Sequence, residues 1–245
     1  AGTGLRRDGQ DLRRAPRLKA VVLERLIAAR EARRPIVRLT WLGDGRERLF
    51  VPDEDALEDE TLRGAVADAL QRDRGTIVET GEGTVFVHPF NPPIRLAIIG
   101  AVHIAQRLTV LARELGWAVT LIDPRTGFLT EARFPGVDRR HEWPDEALGD
   151  FAPDARSAVV TLSHDAKIDE PALGVALRSD CFYIGALGSQ RTQAKRRDRL
   201  REAGIDEAAL ARIHGPVGLD LGARSPAEIA LSIAAEICAA LRKVA

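Results

Sequence analysis

The sequence predicts an α/β protein in which a smaller N-terminal α+β domain precedes a C-terminal Rossmann-like domain with a parallel sheet. Two observations support this fold class. Beyond residue 95, continuous apolar strands alternate with amphipathic helices, which is typical of a parallel sheet covered on both faces. Before residue 90, helices and strands follow a different, mixed order, and Asn91-Pro92-Pro93 separates the two parts.

The composition limits the classes of partner. The chain has 245 residues, with 36 basic and 36 acidic side chains, so its net charge is zero. This balance argues against nucleic acid or a membrane surface as partner, because both usually select a basic excess. No apolar run is long enough for a membrane span. Residues 1–15 contain arginines but no apolar segment, so we interpret them as a disordered lead rather than a secretory signal, and we expect a cytoplasmic protein.

Residues 16–91 are expected to form the small α+β domain. Its predicted elements, in order, are a helix over 16–34, strands over 36–42 and 47–51, a helix capped by Thr61 and ended by Gly75, and strands over 76–79 and 84–88. The acidic stretch 53–60 is interpreted as a solvated loop, the alternative being a docking surface of a purely interacting protein.

Residues 92–245 are expected to form the Rossmann-like domain. The apolar runs predict strands over 96–99, 118–122, 157–162 and 181–184, and the amphipathic runs predict helices over 101–115, 170–178, 189–203 and 226–243. Such sheets bind ligands at the carboxyl ends of their strands.

The first strand–turn–helix junction resembles a dinucleotide-binding turn with one glycine missing. Gly100 supplies the tight turn, and Asp123 ends the next strand, where an acidic residue usually holds ribose hydroxyls. Val102 replaces the glycine that lets backbone approach a pyrophosphate, and its branched side chain is expected to obstruct that approach. His103, in the first helical turn, is a candidate ligand contact, or a histidine that merely packs on a neighbouring loop.

Two further junctions carry polar groups. His164 and Asp165 follow a strand and are candidates for ligand contacts, the alternative being a polar turn that caps the next helix.

The next junction has Gly185 and Gly188, which allow backbone to wrap a ligand, followed by Ser189 as helix cap and Arg191 on the first turn. We predict a phosphate site there, the alternative being an ordinary capped helix start.

The last loop, residues 213–223, contains three glycines and a proline, and it contributes His214 and Asp220 as candidate contacts. Ser225 and Glu228 form a capping-box pattern around Pro226 at the start of the final helix. We expect the turns near residues 100, 188 and 214 to converge on one anion-accepting cleft.

Three motifs carry a family resemblance. They are SHD at 163–165, YIGALGSQRT at 183–192 and HGPVGLDLGARSPAEIALSI at 214–233. In this order they resemble the C-terminal Rossmann domain of the XdhC/CoxI family, whose members are accessory proteins of xanthine dehydrogenase and carbon monoxide dehydrogenase. The resemblance covers about residues 92–243.

The resemblance implies a chaperone for the molybdenum cofactor, either molybdopterin or its dinucleotide form. Such a protein binds and protects the cofactor, promotes its sulfuration and delivers it to a molybdenum hydroxylase client such as xanthine dehydrogenase, without turning over a substrate itself. A sulfur-donor protein is then an expected partner. The positions carried over from the family are Gly100, His103, Asp123, His164, Asp165, Gly185, Gly188, Ser189, Arg191, His214 and Asp220.

The chain departs from the family pattern at two places. Many members read Gly-Ala-Gly-His where this chain has Val102 in third position, and many carry a Ser-Gly-Gly-Cys-type motif in the N-terminal domain. Here residues 49–52 run into the acidic loop without a cysteine. If that cysteine handles sulfur or molybdenum in relatives, this protein does without it.

Three expectations complete the sequence-based picture. An NAD(P)-dependent oxidoreductase is the alternative function, favoured by Asp123 and opposed by Val102. No protein-bound metal is expected, because the two cysteines, Cys181 and Cys238, exclude a CxxC zinc site and fit buried apolar positions better. A homodimer is expected from the apolar face of the last helix, which would either cover the sheet or face a partner; that face comprises Ile229, Ile233, Ile237 and Leu241.

Overall fold

The structure, a computed structural model, describes residues 20–242. Its internal packing divides the chain between Pro92 and Pro93, one residue beyond the boundary expected from the proline pair. The interpretation of residues 1–15 and the outer ends of the predicted first and last helices lie outside the described residues.

The N-terminal unit has the predicted order of helices and strands. Its elements are α1 (Ala20–Glu31), β1 (Ile36–Trp41), β2 (Glu47–Phe50), α2 (Glu60–Arg72), β3 (Thr76–Thr80) and β4 (Gly83–Phe90). The strands form an antiparallel sheet in the order β2-β1-β4-β3. Helix α2 packs Leu62, Val66 and Ala69 into the core of this unit. Helix α1 buries none of its residues, so its predicted apolar face is left uncovered by the described chain.

The predicted ends of α2 were wrong by two or three residues. Asp59, not Thr61, caps the helix, because its carboxylate accepts a hydrogen bond from the Leu62 backbone N–H at 2.9 Å. An aspartate is as good a cap as a hydroxyl residue, so the sequence offered two competing starts. The helix ends at Arg72, where Asp73 adopts a left-handed conformation, ahead of Gly75. The acidic stretch therefore contributes a helix start as well as a loop.

The C-terminal unit confirms the predicted parallel sheet. Its elements are β5 (Arg95–Ile99), α3 (His103–Glu114), β6 (Ala118–Ile122), β7 (Asp138–Arg140), α4 (Pro144–Phe151), β8 (Ser157–Thr161), α5 (Ala166–Leu177), β9 (Tyr183–Ala186), α6 (Gln190–Glu202), α7 (Glu207–Leu210), β10 (Ile213–His214) and α8 (Pro226–Arg242). All neighbouring strands are parallel, in the order β10-β9-β8-β5-β6-β7. Helices α3 and α8 cover one face, and α4, α5, α6 and α7 pack on the other. This is the doubly wound Rossmann strand order.

Several elements of this unit differ from the prediction. Helix α5 begins at Ala166 rather than Glu170, because Asp165 caps it and Pro171 lies inside the helix rather than in its first turn. Strand β9 is shifted by two residues to Tyr183–Ala186. The sequence analysis missed β7, α4, α7 and β10, which span two to eight residues and are too short to show a clear periodicity.

Helix α8 covers the sheet. Ile233 and Ile237 are fully buried in the core shared with α3, and Ile229 and Leu241 pack against that core. The apolar face is thus used inside the unit and gives no support to a homodimer, which stays a prediction. None of the described helices combines the length and apolar composition needed to cross a membrane.

Candidate functional site

The strand order creates a switch point between β5 and β8. The chain leaves β5 toward one side of the sheet and returns at β8 on the other, so the turns after these two strands border a crevice at the carboxyl edge. The turns approach each other closely. A side chain at Gly100 would place its Cβ 2.8 Å from the Ser163 backbone nitrogen, and Gly100 has a φ of +104°. Glycine is therefore required here both for conformation and for space.

The start of α3 has no side-chain cap. Val102 occupies the cap position with an extended backbone, and its half-buried side chain packs against the core of the α3 and α8 face. The exposed His103 follows as the first helical residue. The first N–H groups of a helix have no partner within the helix, so an uncapped start leaves them available to an anion. The expected obstruction by Val102 is not tested by these contacts.

Asp123, at the end of β6, has partners other than a ribose. Its fully buried carboxylate accepts hydrogen bonds from the Ala101 backbone N–H at 2.7 Å and from the backbone and guanidinium of Arg125 at 2.7–2.9 Å. Burial by itself would raise the pKa of Asp123, but these hydrogen bonds outweigh it and lower the pKa below the usual value. Asp123 thus holds the turn after β5 and fixes Arg125, a residue that the sequence analysis did not single out.

The turn after β8 combines an exposed histidine with a helix cap. His164 is exposed and has a φ of +64°, which is uncommon for a residue with a side chain. The carboxylate of Asp165 accepts a hydrogen bond from the Lys167 backbone N–H at 3.0 Å and caps α5. The structural role that the sequence analysis weighed for this turn is therefore present for Asp165, while the exposed His164 is accessible to a ligand.

The turn after β9 presents the predicted phosphate motif. Ser189 caps α6 by accepting a hydrogen bond from the Thr192 backbone N–H, and both Ser189 and Arg191 are exposed. Gly188 has a φ of +135°, as the tight turn requires. Gly185, in contrast, lies inside β9, where a Cβ would come 2.5 Å from the Val217 side chain. Its contribution in this structure is close packing of the strand rather than a loop around a ligand.

A buried polar network beneath these turns was missed by the sequence analysis. Asp169, fully buried, accepts hydrogen bonds from the Ser163 hydroxyl at 2.6 Å and from Arg196 at 3.4 Å. Arg196 also donates to Gln193, whose amide donates to the Ala186 carbonyl at the end of β9. Burial raises the pKa of Asp169 and lowers that of Arg196. The network joins the turns after β8 and β9 through α5 and α6. Its members are spaced as ordinary helix residues, so no local sequence signal identified them.

His214 is placed differently from the expectation. It lies in the edge strand β10 on the face covered by α8, and its Nδ1 contacts Glu236 at 2.9 Å. Glu236 also accepts hydrogen bonds from the Tyr183 hydroxyl at 2.5 Å and from the Gly218 N–H at 2.7 Å. Asp220 is exposed in the loop that follows. The turns near residues 100, 163 and 188 therefore share one edge of the sheet, whereas His214 lies on a face of the edge strand.

The chain matches the family model described as the XdhC Rossmann domain over residues 96–237. The chain belongs to the XdhC family. Within it, the chain is 31% identical over 162 residues to a Bacillus subtilis protein whose name describes it as a probable component of xanthine dehydrogenase. That alignment covers 66% of this chain and 47% of the relative. The chain is also 32% identical over 148 residues to the Escherichia coli molybdenum cofactor insertion chaperone PaoD, covering 60% of this chain and 40% of the relative.

A solved structure shows the same fold. It is a crystal structure of a xanthine dehydrogenase from Bacillus halodurans, with a TM-score of 0.69 and 22% identity, covering 92% of this chain and 66% of that one. The chain spans less than half the length of the curated relatives it matches. The site at the carboxyl edge thus belongs to the part that the XdhC family model covers.

Cavities and thiols complete the description of this XdhC-family chain. A cavity of about 240 Å³ lies beside the start of α3 and is lined by His103, Gln106 and Arg107 and by the start of α8. A second cavity, of about 640 Å³, lies along α5 and α6 and includes none of the predicted site residues. Burial raises the pKa of both Cys181 and Cys238, so neither thiol has the character of a reactive thiolate. Among residues 20–242, no three His, Cys, Asp or Glu side chains group as metal ligands.

Proposed function

We propose that this protein is an accessory factor that binds the molybdenum cofactor and assists its sulfuration or its insertion into a xanthine dehydrogenase-type molybdenum hydroxylase. The cofactor is cargo in this role, and the protein acts by binding rather than by turnover. The observation that carries the proposal is the carboxyl edge of the sheet around the switch point, together with membership of the XdhC family.

The chemistry of this edge fits an anionic, phosphorylated cargo. The uncapped start of α3 and the start of α6 both offer backbone N–H groups, and both lie next to exposed side chains that can donate hydrogen bonds. These side chains are His103 after β5, His164 after β8, and Ser189 and Arg191 after β9. Arg191 adds a guanidinium, which suits phosphate oxygens geometrically.

The rest of the edge supports the site without contacting cargo. Asp169 and Arg196 neutralise each other within the buried network, so the turns above them are held by a paired charge rather than by an unpaired one. Asp123 does the same with Arg125 under the turn after β5. Preformed turns reduce the ordering cost of binding.

Sulfur for the cofactor would come from a partner in this proposal. Cys181 is 3% exposed and Cys238 is half-buried, and burial raises the pKa of both thiols. A sulfur-carrying cysteine needs access and thiolate character. We therefore place the sulfur source on a separate donor protein and the acceptor on a molybdenum hydroxylase client. The printed name of the relative PaoD, a molybdenum cofactor insertion chaperone, supports the client role.

The direct test is co-purification of the cofactor. The full chain is produced in a bacterial host supplied with molybdate, and bound pterin is released, oxidised and quantified by fluorescence. We expect pterin in a fixed ratio to protein, and faster activation of an apo molybdenum hydroxylase when the loaded protein is added. Absence of pterin, combined with no binding of isolated cofactor, would refute the proposal. Tight binding of NAD or NADP in the same preparation would favour the oxidoreductase alternative instead.

A matched pair of variants tests the site itself. Arg191→Ala removes the exposed guanidinium at the start of α6, and we expect a loss of cofactor affinity of roughly 10-fold or more, typical of a charge-assisted hydrogen bond. Lys195→Ala removes an exposed charge one turn further along the same helix and should leave affinity within about twofold. Equal losses in the two variants would show general charge attraction rather than a site.

A further inference from the structure

The loop that follows β6 exposes an aromatic ring next to a guanidinium. Phe128 is 48% exposed, and the guanidinium of Arg125 lies over its ring, 4.7 Å from the centroid. A second guanidinium, of Arg133, lies 5.9 Å from the same centroid, and Arg133 donates a hydrogen bond to the Phe128 carbonyl. An exposed ring arranged in this way presents a flat apolar surface with positive charge beside it.

This surface is held in place from below. The guanidinium of Arg125 donates through Nε to Oδ1 of Asp123 at 2.8 Å and through Nη2 to Oδ2 at 2.7 Å. The Asp123 carboxylate is fully buried and also accepts the Ala101 N–H of the turn after β5. The aromatic ring is thus connected, through two ordered side chains, to the turn that opens the proposed cargo site.

The position along the sheet adds a distance argument. Strand β6 lies on one side of β5, and β8 and β9 lie on the other. Three strand spacings separate β6 from β9, about 14 Å at ~4.8 Å each. A ligand that places a phosphate at Ser189 and Arg191 and also reaches Phe128 needs two separate parts. Doubly wound sheets bind dinucleotides in this way, across the switch point.

We propose that Phe128 and Arg125 form a stacking platform for the nucleobase of a dinucleotide form of the cofactor. The inference rests on the proposed function and deepens it, since it selects the dinucleotide over the simple pterin phosphate. The base stacks on the open surface of the Phe128 ring, and the phosphates lie toward the turns after β5 and β9. No hydrogen bonds to the base are needed, because every base has a π-face that stacks on an aromatic ring.

The test compares nucleotides with a ligand that has phosphates alone. Cytidine 5′-diphosphate, guanosine 5′-diphosphate and inorganic pyrophosphate are titrated into the full chain by isothermal calorimetry. We expect the nucleoside diphosphates to bind more tightly than pyrophosphate. Phe128→Ala should weaken nucleoside diphosphate binding by about 5- to 150-fold, the range of a lost base–aromatic stack, and leave pyrophosphate binding unchanged. Phe128→Tyr should restore nucleotide affinity to within about threefold, because tyrosine keeps the ring.

Leu115→Ala is the matched control. Leu115 has the same exposed fraction, 48%, but caps the opposite end of α3, so its removal should not affect either ligand. Because Phe128 is exposed, its replacement is expected to fold, which the unchanged pyrophosphate isotherm would verify.

Two outcomes would overturn the platform. One is equal affinity of wild type and Phe128→Ala for the nucleoside diphosphates. The other is a loss on Phe128→Ala that is confined to pterin-6-carboxylate, a probe with a pterin ring and no base, which would assign the ring to the pterin. Either result leaves cofactor co-purification intact, whereas failure of the proposed function removes co-purification whatever the nucleotides do.

Discussion

Replacing Asp123 by asparagine should destabilise the C-terminal unit by a measurable, pH-dependent amount. The carboxylate accepts four hydrogen bonds, one from the Ala101 N–H and three from Arg125. Asparagine keeps the shape and one acceptor oxygen, but its amide group faces guanidinium donors. Asp123→Asn therefore removes the ion pair without creating a cavity.

The size of the effect follows from burial. Breaking one side of a fully buried ion pair costs about 3–5 kcal/mol. The side chain of Arg125 is 35% exposed and can turn toward water, which reduces that loss. We expect Asp123→Asn to lower the free energy of unfolding by about 2–3 kcal/mol at pH 7.

The pH dependence has a definite sign. The hydrogen bonds from Arg125 and Ala101 overcome the effect of burial and hold the folded-state pKa of Asp123 below its unfolded value. Asp123 thus stabilises the fold at pH values above about 4, the ordinary aspartate pKa, and this stabilisation is lost as the pH falls through the lowered folded-state pKa. The difference between wild type and Asp123→Asn should shrink on acidification below pH 4.

Urea unfolding monitored by tryptophan fluorescence measures both quantities. In a Trp41→Phe background, the remaining tryptophans, Trp117 and Trp143, report only on the C-terminal unit. Asp220→Asn, an exposed aspartate, is the control and should change the free energy of unfolding by less than about 0.5 kcal/mol. A difference for Asp123→Asn below about 0.5 kcal/mol at pH 7, or one that stays constant down to pH 3, would refute the reasoning.

Three further predictions concern the same unit. Gly100→Ala should lower the free energy of unfolding by at least about 2 kcal/mol in urea titrations, because the φ of +104° is strained for alanine and the new Cβ meets backbone; a neutral result would place that turn elsewhere. Tyr183→Phe should cost about 1.5–3 kcal/mol by the same measurement, since it removes a hydrogen bond to the carboxylate of Glu236 and burial keeps the phenol neutral by raising its pKa; an unchanged midpoint would contradict the contact. Ile233→Ala should cost about 2–5 kcal/mol from a fully buried site, against less than about 1 kcal/mol for Leu231→Ala, which is 52% exposed on the same helix, and equal costs would mean that α8 does not pack as observed.

The sequence by itself determined the architecture of the protein. Continuous apolar strands between amphipathic helices require a parallel sheet buried on both faces, and the prolines at 92 and 93 separate it from the smaller domain. Local signals were equally reliable where one residue decides the geometry. Ser189 caps α6 and Ser225 pairs with Glu228 at the start of α8, as their spacing indicates, because capping depends on neighbours only three residues apart.

Only the tertiary structure decided which polar groups face a ligand and which are used internally. Asp123 has the sequence position of a ribose-binding residue, yet its carboxylate is buried against Arg125 and Ala101. Asp169, Gln193 and Arg196 look like ordinary helix residues but join two strand ends in a buried network. Hydrogen-bond partners distant in the chain depend on how helices pack across the sheet. Local spacing carries no information about that packing.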